Sequence, residues 1–244
     1  MNIVFGICGN GTRFNGYVTP NVPKYMITYH SKTMIEHAVS TLNIPGKLYF
    51  IVRQDHLLSD TTIEPLLNKL GGNVIISSNV TPIGAANTLL EAKPFINIDE
   101  PLLSVNCDQH LDWGDTPMKF IKLTKNNPNT SYIFTFQSTN PSYSYIKTNS
   151  SGDVIEVKEK EIISPRACAG MYHWAKTKDF FNDAEQMITD RQQINGEFYV
   201  APVYNYTINR GSIVREFKLA QGDLCPVGTP VELQEFLQNG HIHV

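Results

Sequence analysis

Two glycines and two cationic side chains near the amino terminus have the types and spacing to do phosphate chemistry. Gly9-Asn10-Gly11-Thr12-Arg13-Phe14 follows directly on the apolar run of residues 2–8, and Pro23-Lys24 comes shortly after. Glycines let backbone N–H groups close on an anion, and a nest of such groups holds phosphate oxygens. Arg13 and Lys24 can then neutralise charge that builds as a phosphate chain is broken. Together they read as a triphosphate grip. Two glycines after a strand are explained equally well by an ordinary turn, and it is the Arg and the Pro-Lys that favour the grip. The spelling is not a Walker A loop, because no Gly-Lys-Ser/Thr follows. Nor is it a dinucleotide fingerprint, because the third glycine is missing and no helix begins at once.

The elements that must hold this loop can be read from periodicity. Residues 2–8 are a short apolar run that stops at glycine, as a buried strand followed by a tight turn does. Met34, Ile35, Ala38, Val39 and Leu42 recur at helical spacing, with Ser31 or Thr33 available as N-cap. Strands are predicted over 47–52, 73–77 and 101–107, and helices over 61–70, from 84 towards 90, and over 118–125. That alternation predicts a parallel sheet with helices packed on it. After about residue 130 strands at 131–137, 144–148, 154–158 and 167–174 are separated by turns such as Asn149-Ser150-Ser151-Gly152-Asp153, which gives this half more antiparallel character. Helices close the chain at 178–188 and 231–238. With no internal repeat or linker, residues 1–244 read as one domain, its halves 1–130 and 131–244 subdivisions of one unit.

Composition narrows the function classes. Lysine plus arginine (20) nearly balance aspartate plus glutamate (23), and the net charge is -3. Without a basic run there is no groove to track a nucleic-acid backbone, so nucleic acid is not expected as a partner. Cys8, Cys107, Cys168 and Cys225 are scattered, with no Cys-x-x-Cys, and are expected to be reduced core residues. The amino-terminal apolar run is too short to span a bilayer and lacks signal-peptide features, so a cytoplasmic protein with no membrane partner is expected. The seven histidines form no catalytic pair, and His241 with His243 read as a frayed tail.

The order G-x-G-T-R and then P-K resembles the amino-terminal signature of the sugar-phosphate nucleotidyltransferase, or nucleotide-sugar pyrophosphorylase, family. The likeness continues in family order to about residue 233. It implies an α/β, Rossmann-like fold, with a mixed, mainly parallel sheet flanked by helices and a more antiparallel, acceptor-binding carboxyl-terminal half. The resemblance puts Gly9, Asn10, Gly11 and Thr12 on the nucleotide. It does the same for Gly84 and Ala85 of Pro82-Ile83-Gly84-Ala85-Ala86-Asn87-Thr88, although a helix start with alanines for packing explains that segment as well.

Val105-Asn106-Cys107-Asp108 resembles the family's D-x-D metal site, with Asn106 at the first acidic position and Asp108 at the ligand position; Asp112 is a nearby alternative. Asp108 would lie at the carboxyl end of a strand, where α/β folds bind ligands, and Mg²⁺ needs only one or two carboxylates plus phosphate oxygens. Glu159-Lys160 resembles the E-K-P segment that contacts the acceptor, with Glu161 in place of proline. Gly170, in Cys168-Ala169-Gly170-Met171-Tyr172, and Glu197, in Asn195-Gly196-Glu197-Phe198-Tyr199, match further acceptor-binding segments. Val227-Gly228-Thr229-Pro230-Val231-Glu232-Leu233 resembles the family's G-T-P-x-x-L element. Pro226 replaces the aspartate that precedes it, and Asp223 is left to supply the second metal ligand.

The implied reaction transfers a nucleoside monophosphate from an NTP to a sugar 1-phosphate, with Mg²⁺, release of pyrophosphate and no covalent intermediate. Arg13 and Lys24 are its expected catalytic residues. Products of such enzymes commonly feed capsule or other surface polysaccharide synthesis, and a homo-oligomer is compatible with this reading. Three other readings stay open: a cytidylyltransferase acting on a phosphocholine-like acceptor, a metal-dependent glycosyltransferase, and a non-catalytic binding module of the same fold. Pyrophosphate release separates the first from the other two.

Overall fold

The computed structural model describes residues 1–18, 22–79 and 83–239. Strand β1 (Asn2–Gly6) turns Ile3 and Phe5 into one core and Val4 into another, which its unbroken apolar sequence requires of a strand covered on both faces. A small hairpin of β2 (Thr28–Tyr29) and β3 (Lys32–Thr33) leads into helix α1 (Met34–Leu42). The start of α1 is fixed by a capping box: Glu36 N–H donates to Thr33 Oγ1 (3.3 Å) and Thr33 N–H donates to the Glu36 carboxylate (2.8 Å). Then follow β4 (Lys47–Arg53), α2 (Gln54–Ser59), α3 (Ile63–Lys69), β5 (Gly72–Ser77), α4 (Ala85–Leu90), β6 (Leu102–Val105), β7 (Gln109–Leu111) and α5 (Thr116–Asn126). The second half contributes β8 (Ser131–Gln137), β9 (Ser144–Thr148), β10 (Val154–Glu159), β11 (Arg166–Trp174), α6 (Thr177–Thr189), α7 (Val203–Asn209), β12 (Val214–Lys218), β13 (Leu224–Pro226) and α8 (Pro230–Asn239).

One mixed sheet runs through both halves in the order β10-β9-β11-β6-β1-β4-β5, with β8 on β11 and β12 on β8. Strands β6, β1, β4 and β5 are parallel, as the βα alternation requires. Strand β11 runs antiparallel to β6, β8 and β9, and so carries the second half onto the first. The fold is the α/β, mixed-sheet architecture that the sequence predicts. Its departures are short or irregular elements: α2 before the helix expected at 61–70, helix α7, the edge strand β12, and the ribbon of β13 on β7. Three-residue strands carry no readable period, and β7 and β13 are far apart in sequence.

Two large cores cover the faces of the sheet. A third, smaller one matters more for the site. Phe14 from the glycine-rich loop packs there with Ile27, Tyr29 and Met34, and with Cys225, Val227, Leu233 and Phe236 from the end of the chain. This cluster clamps β13 and α8 over the loop that follows β1. All four cysteines are free, and burial pushes the Cys8 and Cys107 thiols up to about 12, which leaves them protonated and unreactive. His173 is enclosed by Phe120 and Tyr132, and burial drops it to about 3, so it is a neutral core residue.

Candidate active site

The loop after β1 turns on Gly11, whose φ of 63° is left-handed. A Cβ there would stand 3.1 Å from the backbone nitrogen of Lys24, so the glycine lets the Gly9–Gly11 turn lie directly on the Pro23-Lys24 segment. Phe14 anchors the single helical turn Thr12–Phe14, and Arg13 on that turn is left free to line a cavity of 410 Å³.

Asp108 stands just beyond the carboxyl end of β6, and its carboxylate forms an ion pair with Lys24 Nζ. Both side chains are about four-fifths buried, with 19% and 21% of their surface exposed. Burial alone would push both towards neutrality, but each charge holds the other. Asp108 therefore stays below the usual carboxylate range and Lys24 above the usual lysine range. Arg13 adds its positive charge to the field at Asp108.

A second carboxylate meets Asp108, and it is not Asp223. Asp223 takes a hydrogen bond from Ala220 N–H (2.9 Å) to close its own turn, and its carbonyl accepts from Asp112 N–H (3.0 Å). It thus lies at the far end of the β7–β13 ribbon, whose near end is marked by Val227 N–H donating to the Asp108 carbonyl (3.0 Å). At that near end Gly228 separates Asp108 from Glu232. A Cβ at Gly228 would lie 2.6 Å from Asp108 Oδ2 and 3.4 Å from Glu232 Oε2, so the two carboxylates converge on this glycine. Glu232 sits in the first turn of α8, where Thr229 Oγ1 accepts from its N–H (3.2 Å) and Tyr143 O–H donates to its carboxylate (2.9 Å). Glu232 lies inside the G-T-P-x-x-L element, and the sequence alone assigns it no role, because only the fold shows which way the first turn of α8 faces.

The opposite wall comes from β9, β10 and β11. Glu159 accepts from the Ser144 hydroxyl, and burial raises its carboxyl, with Ser144 and Lys160 pulling it part of the way back. Lys160, at φ 57°, directs Nζ to Tyr199 O–H (2.6 Å) and over the Tyr199 ring (4.7 Å). Gly170 sits at φ 67° where the pairing of β11 with β8 shifts register, and its carbonyl accepts from Asn106 N–H (2.9 Å). A side chain on Gly170 would collide with the amides of Gln109 and Asn106.

The structure brings Arg13, Ala85, Asp108, Glu159, Lys160 and Gly170 into one cavity wall. Gly9 and Lys24 line an adjoining cleft that shares Asn106 and Asp108 with it. Asn10, Gly11 and Thr12 border a second hollow, where the buried guanidinium of Arg53 is held between Asn10 and Asp55. Gly84, at φ 122°, is pressed against the backbone of Phe198, with Phe198 N–H donating to Ile83 (2.8 Å) and Ala86 N–H donating to Phe198 (3.0 Å). Glu197 is exposed outside the cavity lining, close enough for its charge to add to the upward push on Glu159. Pro82, His241 and His243 lie outside the described residues. Among the described residues no group of three or more His, Cys, Asp or Glu could hold a metal by itself, and no helix is long and apolar enough to cross a membrane.

Comparison with known proteins places these observations in a family. The family model described as nucleotidyl transferase matches residues 4–198. The catalytic subunit beta of mannose-1-phosphate guanylyltransferase from Dictyostelium discoideum is 29% identical over 110 residues; the match takes in 44% of this chain and 30% of that protein's length. Among solved structures, a nucleoside-diphosphate-sugar pyrophosphorylase from Vibrio cholerae RC9 superposes with a TM-score of 0.80 at 23% identity, over 97% of this chain and 99% of the other. An inositol-1-phosphate CTP transferase from T. maritima superposes with a TM-score of 0.75 at 15% identity, over 98% and 93%. At such identities the two likenesses establish the fold.

Proposed function

The chain belongs to the nucleotidyl transferase family, and we propose that it moves a nucleoside monophosphate from an NTP onto a sugar 1-phosphate, releasing pyrophosphate. The observation that carries this reading is the Lys24–Asp108 pair. It sits between the glycine-rich loop and a cavity whose other walls present Arg13 and Lys160. Two polyanions can meet there only if their charges are offset, and three cations are arranged to do so.

A phosphate oxygen of the acceptor attacks the α-phosphorus in line, the bond to the bridging oxygen breaks, and pyrophosphate leaves. The acceptor phosphate is anionic at neutral pH, so no general base is needed and catalysis is positioning plus charge stabilisation. Backbone N–H groups of Gly9–Gly11 hold phosphate oxygens, Arg13 and Lys24 stabilise the leaving pyrophosphate, and Lys160 steadies the acceptor phosphate. Glu159 faces the acceptor's hydroxyls, and Glu197, outside the cavity lining, acts through its charge on Glu159. Ala85, in the cavity wall, leaves room for the nucleoside, and Gly84 holds that helix start against the Phe198 backbone.

Mg²⁺ fits the donor set. Asp108 and Glu232 converge on Gly228, and Mg²⁺ takes one or two carboxylates with the rest of its shell from water and phosphate. The ion would supply extra neutralisation of the phosphate chain. On this reading the enzyme works in the cytoplasm and its product is an activated donor for a surface glycan.

The test is pyrophosphate release with Mg²⁺, crossing CTP, UTP, GTP, ATP and dTTP against sugar 1-phosphates, inositol 1-phosphate and phosphocholine. Release that requires one NTP together with one sugar phosphate is expected. No release from any pair would overturn the reading.

A further inference from the structure

We infer that Gln109 is a specificity-determining residue that accepts a hydrogen bond from a hydroxyl of the acceptor, which makes the substrate a polyhydroxylated phosphate, a sugar or a cyclitol. The inference rests on the acceptor occupying the cavity as proposed above. Gln109 opens β7, is 8% exposed and lines the cavity beside Asp108 and Gly170. Its Nε2 donates to the Ala169 carbonyl, which fixes the plane of the amide. The bulge at Gly170 makes room for it, because any side chain at Gly170 would strike that amide. Its Oε1 is buried and has no partner within the protein.

A buried acceptor without a donor is a standing cost, and an apolar side chain of similar length would fill the same space without it. The carboxamide is worth keeping if a ligand completes it. That ligand group must be a donor, since an amide oxygen repels a phosphate oxygen, and the phosphates already have Arg13, Lys24 and Lys160. Hydroxyls qualify. A trimethylammonium group has no N–H or O–H to offer, so phosphocholine leaves Oε1 unpaired. Sites built to pair with a substrate hydroxyl discriminate strongly against analogues that lack it.

The test uses the full chain with Mg²⁺ and a non-hydrolysable NTP, and reads calorimetric binding of glucose 1-phosphate, mannose 1-phosphate, inositol 1-phosphate and phosphocholine. Monodeoxy analogues of the tightest probe follow, against wild type and Gln109→Met. Expected is binding of one polyhydroxylated probe about tenfold or more tighter than phosphocholine. One deoxy analogue should lose about tenfold in wild type and nothing further in Gln109→Met, with NTP affinity unchanged. Phosphocholine binding as tightly as the best sugar or cyclitol phosphate would overturn the inference, as would identical deoxy losses in both proteins. If Gln109→Met does not fold, the wild-type series decides: no deoxy analogue weaker than its parent is an adverse result. Pyrophosphate release is read separately. Binding as expected without release defeats the transfer reading and leaves the Gln109 contact standing, whereas no binding of any probe defeats both.

Discussion

The two ends of the cavity are built on different principles. At the phosphate end, backbone and ionised groups do the positioning: a left-handed glycine seats one loop on another, and Lys24 and Asp108 keep each other charged in a partly buried place. At the acceptor end, polar and charged side chains are braced by contacts from other segments. Gln109 is fixed by β11 and Lys160 rests on Tyr199, while between the two ends Gly84 is stitched to Phe198 from the other half of the chain. Both ends are assembled over long range, the first by paired charge and the second by shape. One end therefore suits a reaction centre common to many substrates, and the other is where substrate choice can vary.

Breaking the phosphate end should have the largest effect. Arg13→Ala and Lys24→Ala are each expected to lower kcat by about two orders of magnitude or more, the scale of losing one charge-stabilising group, as read by steady-state pyrophosphate release. Near-normal turnover in both variants would remove the phosphate end from the account. Breaking the link between the ends should act on stability instead. Gly84→Ala puts a Cβ into the Phe198 backbone at φ 122° and is expected to cost about 2 kcal/mol or more in thermal unfolding.

A finer distinction separates the two carboxylates offered for the metal. Glu232→Gln should raise the Mg²⁺ concentration needed for half-maximal NTP binding about tenfold, while Asp223→Asn should leave it within about twofold because its carboxylate closes a remote turn. Equal effects would contradict the convergence on Gly228.

The smallest expected effect concerns the helix that supports the phosphate end. Thr33→Ala should cost about 1 kcal/mol by opening the capping box of α1. Glu36 is held below the usual glutamate range, chiefly by the Thr33 N–H. Its contribution is therefore full above the unfolded value of about 4.3 and is lost as pH falls through its lower folded value. In urea unfolding followed against pH, the gap between wild type and Glu36→Gln should be constant near neutrality and narrow below about pH 4. A gap that widens on acidification would contradict the assignment.

The same contrast explains how much could be read from sequence. Strand β1, the glycine loop, Arg13, Lys24 and Asp108 belong to contiguous segments with a clear period or spelling, and they were legible. So was the start of α1, for which Ser31 and Thr33 are both available as N-cap and the structure selects Thr33. Glu232 and Gln109 acquire their places only through the β7–β13 ribbon, whose strands are too short to show alternation and whose pairing joins the middle of the chain to its end. Asp223 was the natural choice by proximity to the missing aspartate. The ribbon instead sets it beside Asp112, because successive residues advance about 3.3 Å each and a few positions along β13 lead away from Asp108. Gly84 and Gly170 could be spotted as glycines, but the partners that demand them, Phe198 and Gln109, come from elsewhere in the chain.

The central claim is the transfer itself, and an NTP labelled at the α-phosphate tests it most directly. In a single turnover with excess enzyme, Mg²⁺ and the matching sugar phosphate, the label should pass entirely into the nucleotide sugar while unlabelled pyrophosphate appears in equal amount. Label on the protein, or no transfer from the NTP but consumption of a supplied nucleotide sugar with release of its nucleotide, would contradict it.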